Sequence, residues 1–434
     1  MIAETIFDAL LRRWIRNGRL SLVCPDGSLR SYGDGKGREI RARITSRKWM
    51  RRLLLDADRW LGEAYMDGGL VMEQGDIADF MTLLMANVRE ADYPLFVRWL
   101  ELFRRRAFRL RNRNSRQRSR RNVAHHYDLD GRLYDLFLDA DRQYSCAYFD
   151  APGCDLEAAQ LAKKRHLAAK LAIRPGMRIL DIGCGWGGLA LYLAQVYDDV
   201  RVVGITLSTE QLEHARARAE RLGLADRVEF RLQDYRDISE RFDRIVSVGM
   251  FEHVGVPHFP AFFRKVRELL ADDGVAVLHS INRADGPGVT SRWIDRYIFP
   301  GGYIPAMSEV LPAIEKTGLI VSDVEILRRH YADTLKHWRE RFMARSLRAA
   351  ELYDDRFVRM WEFYLAGSEA MFRSGLMNNF QIQMVKHNEA LPLTRDYMFE
   401  EERRLKKMDA RRHIRAVPDK DGKAASSGAR STRS

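Results

Sequence analysis

The stretch Met177-Arg178-Ile179-Leu180-Asp181-Ile182-Gly183-Cys184-Gly185-Trp186-Gly187-Gly188 decides how the chain folds. Residues 177–182 read as an apolar strand, the glycines as a turn, and residues 189–197 as a buried helix. The alternation continues downstream. Strands are expected at 200–206, 228–232, 242–248 and 275–281, with helices at 209–222 and 259–270 between them. Repeated β-α units of this length predict an α/β domain built on a doubly wound parallel sheet. Later strands are expected at 318–327 and 380–385, with a helical stretch, 341–373, inserted between them.

Glycines where a strand meets a helix let the backbone approach a ligand, and the helix N-terminus favours electron-rich groups. Nicotinamide and flavin proteins use such turns too, and a tight turn without a ligand is the plainest alternative. Two details separate these readings. A dinucleotide fold wants an acid near the end of its second strand for the ribose hydroxyls. Here that strand ends Gly204-Ile205-Thr206-Leu207-Ser208, without one. The acid directly before the glycines, Asp181, resembles instead the pattern of S-adenosylmethionine methyltransferases, where it lies near the amino-acid part of the cofactor.

Composition bounds the rest. A chain of 434 residues has room for one large or two modest domains, and 46% hydrophobic content excludes a wholly disordered chain. The uncharged run 182–197 has 16 residues and four internal glycines, too short and too interrupted to span a bilayer. The first residues lack the basic and apolar regions of a secretory signal, so a cytoplasmic protein is expected. Cys24, Cys146, Cys154 and Cys184 form no CxxC pair, and neither a disulfide framework nor a metal site is read from them.

The formal charge of +13 is concentrated. Ten arginines and no acid lie between Arg104 and Arg121, and residues 403–434 carry 11 cations against Asp409, Asp419 and Asp421. Four parts are therefore expected: a mainly helical N-terminal accessory domain (1–103), an arginine-rich linker (104–121), a catalytic domain (122–402) and a basic, disordered tail (403–434). Ile6, Leu10, Leu11 and Trp14 fall at helical spacing, 79–103 has a similar rhythm, and short strands are expected at 22–24 and 40–44.

Further motifs make a resemblance specific. Asn122-Val123-Ala124-His125-His126-Tyr127-Asp128-Leu129 and Gln143-Tyr144-Ser145-Cys146-Ala147-Tyr148-Phe149 precede the glycine turn. Gly249-Met250-Phe251-Glu252-His253-Val254-Gly255, Leu278-His279-Ser280-Ile281, Tyr297-Ile298-Phe299-Pro300-Gly301-Gly302 and Phe380-Gln381-Ile382-Gln383 follow it. In this order they resemble the cyclopropane-fatty-acyl-phospholipid synthase family, as does Leu61-Gly62-Glu63-Ala64-Tyr65-Met66-Asp67-Gly68-Gly69 near the N-terminus. The resemblance implies a class I methyltransferase, Rossmann-like sheet and transfer of a methyl from S-adenosylmethionine to a cis double bond of a phospholipid acyl chain. Loss of a proton from the resulting carbocation closes the ring. It also implies a bound bicarbonate as base, held by Cys146, Glu252, His279, the amide of Ile281, and Tyr331, for which Tyr364 is a rival. For the cofactor it points to Tyr144 and Ser145, to Leu180, Asp181, Gly183, Cys184, Gly185, Trp186, Gly187 and Gly188, to Thr206, Leu207, Ser208 and Gln211, and to Gln233 and Asp234. Residues 297–304, uncharged and aromatic, suit an acyl channel or a packed turn.

Each of these residues also has a plainer role in packing or capping. Among whole-protein alternatives, methylation of a soluble amine leaves the arginine cluster without a purpose. A nucleic-acid methyltransferase is disfavoured because the chain contains no Pro-Pro, and so lacks the Asn/Asp-Pro-Pro-aromatic motif of many base methylases. The cluster also lies outside the expected catalytic sheet. The expected partner is unsaturated phospholipid at an anionic inner-membrane surface, reached peripherally and without nucleic acid; a homodimer is compatible with these readings.

Overall fold

The computed structural model describes residues 2–88 and 130–412. The arginine-rich segment 104–121, the motif at 122–129 and the last residues, 413–434, lie outside the described residues. The N-terminal part runs α1 (Ile2–Trp14), β1 (Arg19–Val23), β2 (Leu29–Tyr32), β3 (Glu39–Ile44), α2 (Arg47–Leu55), α3 (Ala57–Met66), β4 (Leu70–Gln74) and α4 (Ile77–Ala86). More of its residues are helical than extended, yet a four-stranded sheet of order β2-β1-β3-β4 frames it. The period of two is plain in β3, where Ile40, Ala42 and Ile44 are buried and the arginines between them turn outward.

The remainder runs α5 (Gly131–Tyr134), α6 (Leu156–Leu171), β5 (Arg178–Ile182), α7 (Gly188–Val196), β6 (Arg201–Thr206), α8 (Thr209–Arg221), β7 (Val228–Leu232), β8 (Phe242–Val248), α9 (Phe259–Leu269) and β9 (Leu270–Arg283). It continues through α10 (Arg292–Tyr297), α11 (Met307–Glu315), β10 (Ile320–Ile326), α12 (His330–Met343), α13 (Ser346–Leu352), α14 (Asp355–Arg373), β11 (Met377–Val385) and α15 (Asp396–Arg412). One seven-stranded sheet results, of order β10-β11-β9-β8-β5-β6-β7. Neighbours from β9 to β7 are parallel, while β11 runs antiparallel to both β10 and β9.

Alternation along the central strands feeds two cores. Ile179, Val202 and Val246 pack with α7 and α8 on one face; Leu180, Ile205 and Ile245 pack with Phe262 and Phe263 of α9 on the other. Strands covered on both faces read as continuous apolar runs, which is why the sequence shows them so clearly. The order reverses at β5, so a crevice opens above the C-terminal ends of β5, β6 and β8, where such sheets bind ligands.

Helix α6 breaks the usual pattern. Of its 16 residues 13 are buried, including Lys163, Lys164, Arg165, His166 and Lys170. Lys164 pairs with Asp141 at 2.7 Å, Arg165 with Asp409 at 2.8 Å, and Lys170 with Glu325 at 2.5 Å. His166 lies between Glu325, 2.6 Å from Nε2, and Glu402. Two of these carboxylates belong to α15, which corrects the expected tail boundary: the folded body continues through residue 412. Leu405 is fully buried, Asp409 also accepts a hydrogen bond from Tyr192, and Lys406 pairs with Asp150. A basic composition hid this helix because its inward positions are few.

Removing one partner of a buried ion pair strands the other charge. Asp409→Ala should therefore lower the unfolding free energy, measured in urea, by on the order of 3 kcal/mol. Asp409→Asn, which keeps a hydrogen-bond acceptor, should lose less. Unchanged stability in both would mean α15 contributes nothing through this contact.

Candidate active site

The glycine turn is hung from the neighbouring strand: the amides of Gly183 and Cys184 both donate to the Ile205 carbonyl, at 3.0 and 2.9 Å. Gly183 has φ of +81°, and a Cβ there would stand 2.8 Å from Cβ of Met250. At Gly187, φ +84°, a Cβ would lie 2.7 Å from the Phe230 ring. Both positions demand glycine. The turn, the strand ends and the loop around Tyr144 enclose one cleft.

Twelve of the residues expected at the cofactor line this cleft: Tyr144, Ser145, Asp181, Gly183, Cys184, Gly185, Trp186, Thr206, Leu207, Gln211, Gln233 and Asp234. Four do not. Leu180 faces the core behind the sheet, Gly187 packs on Phe230 and Ala215, and Gly188 packs on Asp141 and Gln143. Ser208 caps α8, accepting from the Gln211 amide at 3.4 Å. Adjacency in a motif placed these four in the set, but strand alternation and helix geometry turn them away.

Polar groups around the cleft are largely committed. Thr206 Oγ1 donates to Gln211 Oε1 at 2.8 Å, and Asp234 forms an ion pair with Arg236 at 2.5 Å. Trp186 meets Tyr134 edge-on, and the Arg142 guanidinium lies 4.8 Å from its ring centroid. Asp181 differs: it is buried, its Oδ2 has no hydrogen-bond partner, and burial pushes its carboxyl up to about 7 despite the Lys163 charge. The cleft is also lined by Arg142, Gln143, Lys163, Met250 and His253, for which no role was expected. His253 is held neutral, its imidazole pushed down to about 4 by burial. Lys163 is not legible from sequence because Lys163-Lys164-Arg165-His166 looks like a solvated charge run.

The five residues expected at the base do not line the cleft, but they lie on elements packed around it. The structure joins two of them directly: the Ile281 amide donates to Glu252 Oε1 at 2.7 Å. The amide expected to face the base is thus engaged by Glu252, whose Oε2 is buried without a partner and whose carboxyl is raised by burial. His279 sits on β9 opposite Gln381 of β11. Its ring nitrogens are flanked by the amides of Gln381 at 3.1 Å and Asn379 at 3.5 Å, and burial pushes it down to about 3. A neutral imidazole has one donor and one acceptor, so one of these amides presents its oxygen. Cys146 is fully buried and stays a thiol, and the amide of the next residue, Ala147, donates to Thr334 of α12 at 3.0 Å.

Tyr331 and Tyr364 remain rivals. Tyr331 packs against Phe372 and Trp338, whereas the Tyr364 hydroxyl lies 3.0 Å from that of Tyr144 on the cleft wall. The 297–304 segment also borders this region. The Tyr303 amide donates to the Glu252 carbonyl at 2.9 Å, and the Phe299 ring meets His253 and Tyr364. Among the described residues, no helix is long and apolar enough to cross a membrane.

Comparison with known proteins agrees with this geometry. Residues 114–382 match the mycolic acid cyclopropane synthetase family. The cyclopropane-fatty-acyl-phospholipid synthase of Escherichia coli K12 is 39% identical over 341 residues, covering 78% of this chain and 86% of its own. A tuberculostearic acid methyltransferase of Mycobacterium tuberculosis is 36% identical over 400 residues, 88% of this chain and 92% of its own. The crystal structure of mycolic acid cyclopropane synthase CmaA1 complexed with SAH and CTAB superposes with a TM-score of 0.58 at 35% identity, covering 61% of this chain and 97% of that one. The chain belongs to the mycolic acid cyclopropane synthetase family and is a class I, S-adenosylmethionine-dependent methyltransferase.

Proposed function

We propose that the protein transfers a methyl from S-adenosylmethionine to a cis double bond of an unsaturated phospholipid acyl chain and closes a cyclopropane ring. The contact of Glu252 with the Ile281 amide carries this reading, because it joins two residues of the expected base site beside the cleft. The cleft fits the cofactor: Asp181 offers an unpartnered carboxylate oxygen to a cation, and glycines let the ligand approach the backbone. Bound there, S-adenosylmethionine supplies an electrophilic methyl.

An alkene is a weak nucleophile, so the chain's residues act mainly by orienting and by excluding water. Tyr144, Tyr364 and Phe299 present aromatic faces that favour a nearby positive charge. The proton lost on ring closure needs an acceptor. Bicarbonate suits the site in its chemistry: Cys146 remains a thiol, His279 a neutral imidazole, and burial raises the Glu252 carboxyl, which lessens its repulsion of an anion. Tyr331 or Tyr364 completes the set. The arginine-rich and C-terminal segments would draw the enzyme to an anionic leaflet, each cation near the surface adding about 1 kcal/mol.

A branched or methylene chain is the second reading, favoured by the similarity to a tuberculostearic acid methyltransferase. Purified protein, methyl-labelled S-adenosylmethionine, vesicles of unsaturated anionic phospholipid and RNA separate the possibilities. Expected are fatty acids heavier by one CH2, with alkene protons replaced by cyclopropane protons in NMR. Retained alkene or a methyl branch selects the second reading; label in RNA alone rejects both. Glu252→Gln should lower product formation about a hundredfold or more while cofactor affinity barely changes. Equal loss of both would place Glu252 in cofactor binding or in the fold.

The folded state raises Asp181 from 3.8 to about 7, so its stabilising contribution is complete below pH 4 and is lost as pH rises through 7. Between pH 5 and pH 8 the ligand-free wild type should lose stability relative to Asp181→Asn, by roughly 2–3 kcal/mol. Parallel urea stability curves for the two proteins across that range would refute it.

A further inference from the structure

Lys163 is 1% exposed and lines the cofactor cleft. Its ammonium donates to two neutral acceptors, Gln143 Oε1 at 2.6 Å and Ser145 Oγ at 2.8 Å. The other buried cations of α6 all have carboxylate partners. Lys163 has none within ion-pair distance among the described residues: Asp141 is taken by Lys164 and Arg218, and Asp139 accepts from the backbone amides of Asp141 and Gln143. A buried charge without a counter-charge is costly, and two neutral hydrogen bonds do not remove that cost.

The loop does not need the charge to stay in place. Gln160, three residues earlier on the same helix, already donates to the carbonyls of Gln143 and Ser145 at 3.3 and 3.0 Å. The same cleft carries the complementary anomaly, the buried and unpartnered Oδ2 of Asp181. One cleft thus holds a cation and a carboxylate, neither of them in an ion pair among the described residues, a pattern complementary to an amino-acid zwitterion.

We propose that Lys163 is the counter-charge for the carboxylate of the cofactor's amino-acid end, opposite the ammonium at Asp181. Ser145 relays the interaction. Its oxygen accepts from Lys163 through one lone pair, and its hydroxyl hydrogen is left for the same carboxylate. The assignment rests on the cofactor reading above.

The test compares two ligands by calorimetry: S-adenosylhomocysteine, and methylthioadenosine, which keeps the nucleoside and sulfur but lacks the amino-acid end. Lys163→Met should weaken S-adenosylhomocysteine roughly tenfold or more and leave methylthioadenosine within about twofold. Lys163→Gln keeps a donor for Ser145 without the charge and should show the same selective loss, so it decides the matter should the methionine variant not fold. Equal weakening of both ligands would make Lys163 a structural clasp and overturn the proposal, as would unchanged binding of S-adenosylhomocysteine by Lys163→Gln. Wild-type protein that binds neither nucleoside rejects the cofactor reading itself, and the proposal with it.

Discussion

Helix α6 carries five cationic side chains into the interior, and the surrounding elements supply what four of them require. Asp141 comes from the segment before the helix, Glu325 from the edge strand β10, and Glu402 and Asp409 from α15. Pairing at this depth is directional, because a misplaced carboxylate leaves a desolvated ion behind. The constraint therefore fixes where the C-terminal helix lies and how β10 is turned. Gln160 of α6 holds the Gln143–Ser145 loop, and that loop forms one wall of the cleft.

Much of the sheet is legible from sequence because its signals are local. Residues 178–182, 201–206 and 228–232 are apolar runs bounded by turns, and alternating burial on two faces is what such runs predict. The glycines at 183 and 187 are also readable, since their backbone angles exclude other residues. What stays hidden depends on partners far along the chain. Arg165 and His166 look like part of a solvated face until Asp409 and Glu325, more than 150 residues away, are brought to them. The reversal of β11 is equally silent, because an apolar strand reads the same in either direction.

The expected site divides along the same line. Residues that touch the cleft through a turn or a strand end, such as Asp181 and Thr206, follow from the motif. Those named by adjacency alone, such as Leu180 and Gly188, face elsewhere, for side chains alternate and motifs do not. Glu252 and Ile281 lie 29 residues apart and meet only because β8 and β9 are neighbours in the sheet. Burial then keeps Cys146, His253 and His279 uncharged.

The path from β10 to β11 sets what the cleft borders. Residues 327–376 leave the sheet from one strand and return on the strand paired beside it. Within this excursion lie Tyr331, Trp338, Trp361 and Tyr364, which form the aromatic wall next to Tyr144. The crevice proposed for the donor is built from β5, β6 and β8, none of which the excursion interrupts. A change in the excursion's helices therefore reaches the cleft through Tyr144 and leaves those strand ends untouched.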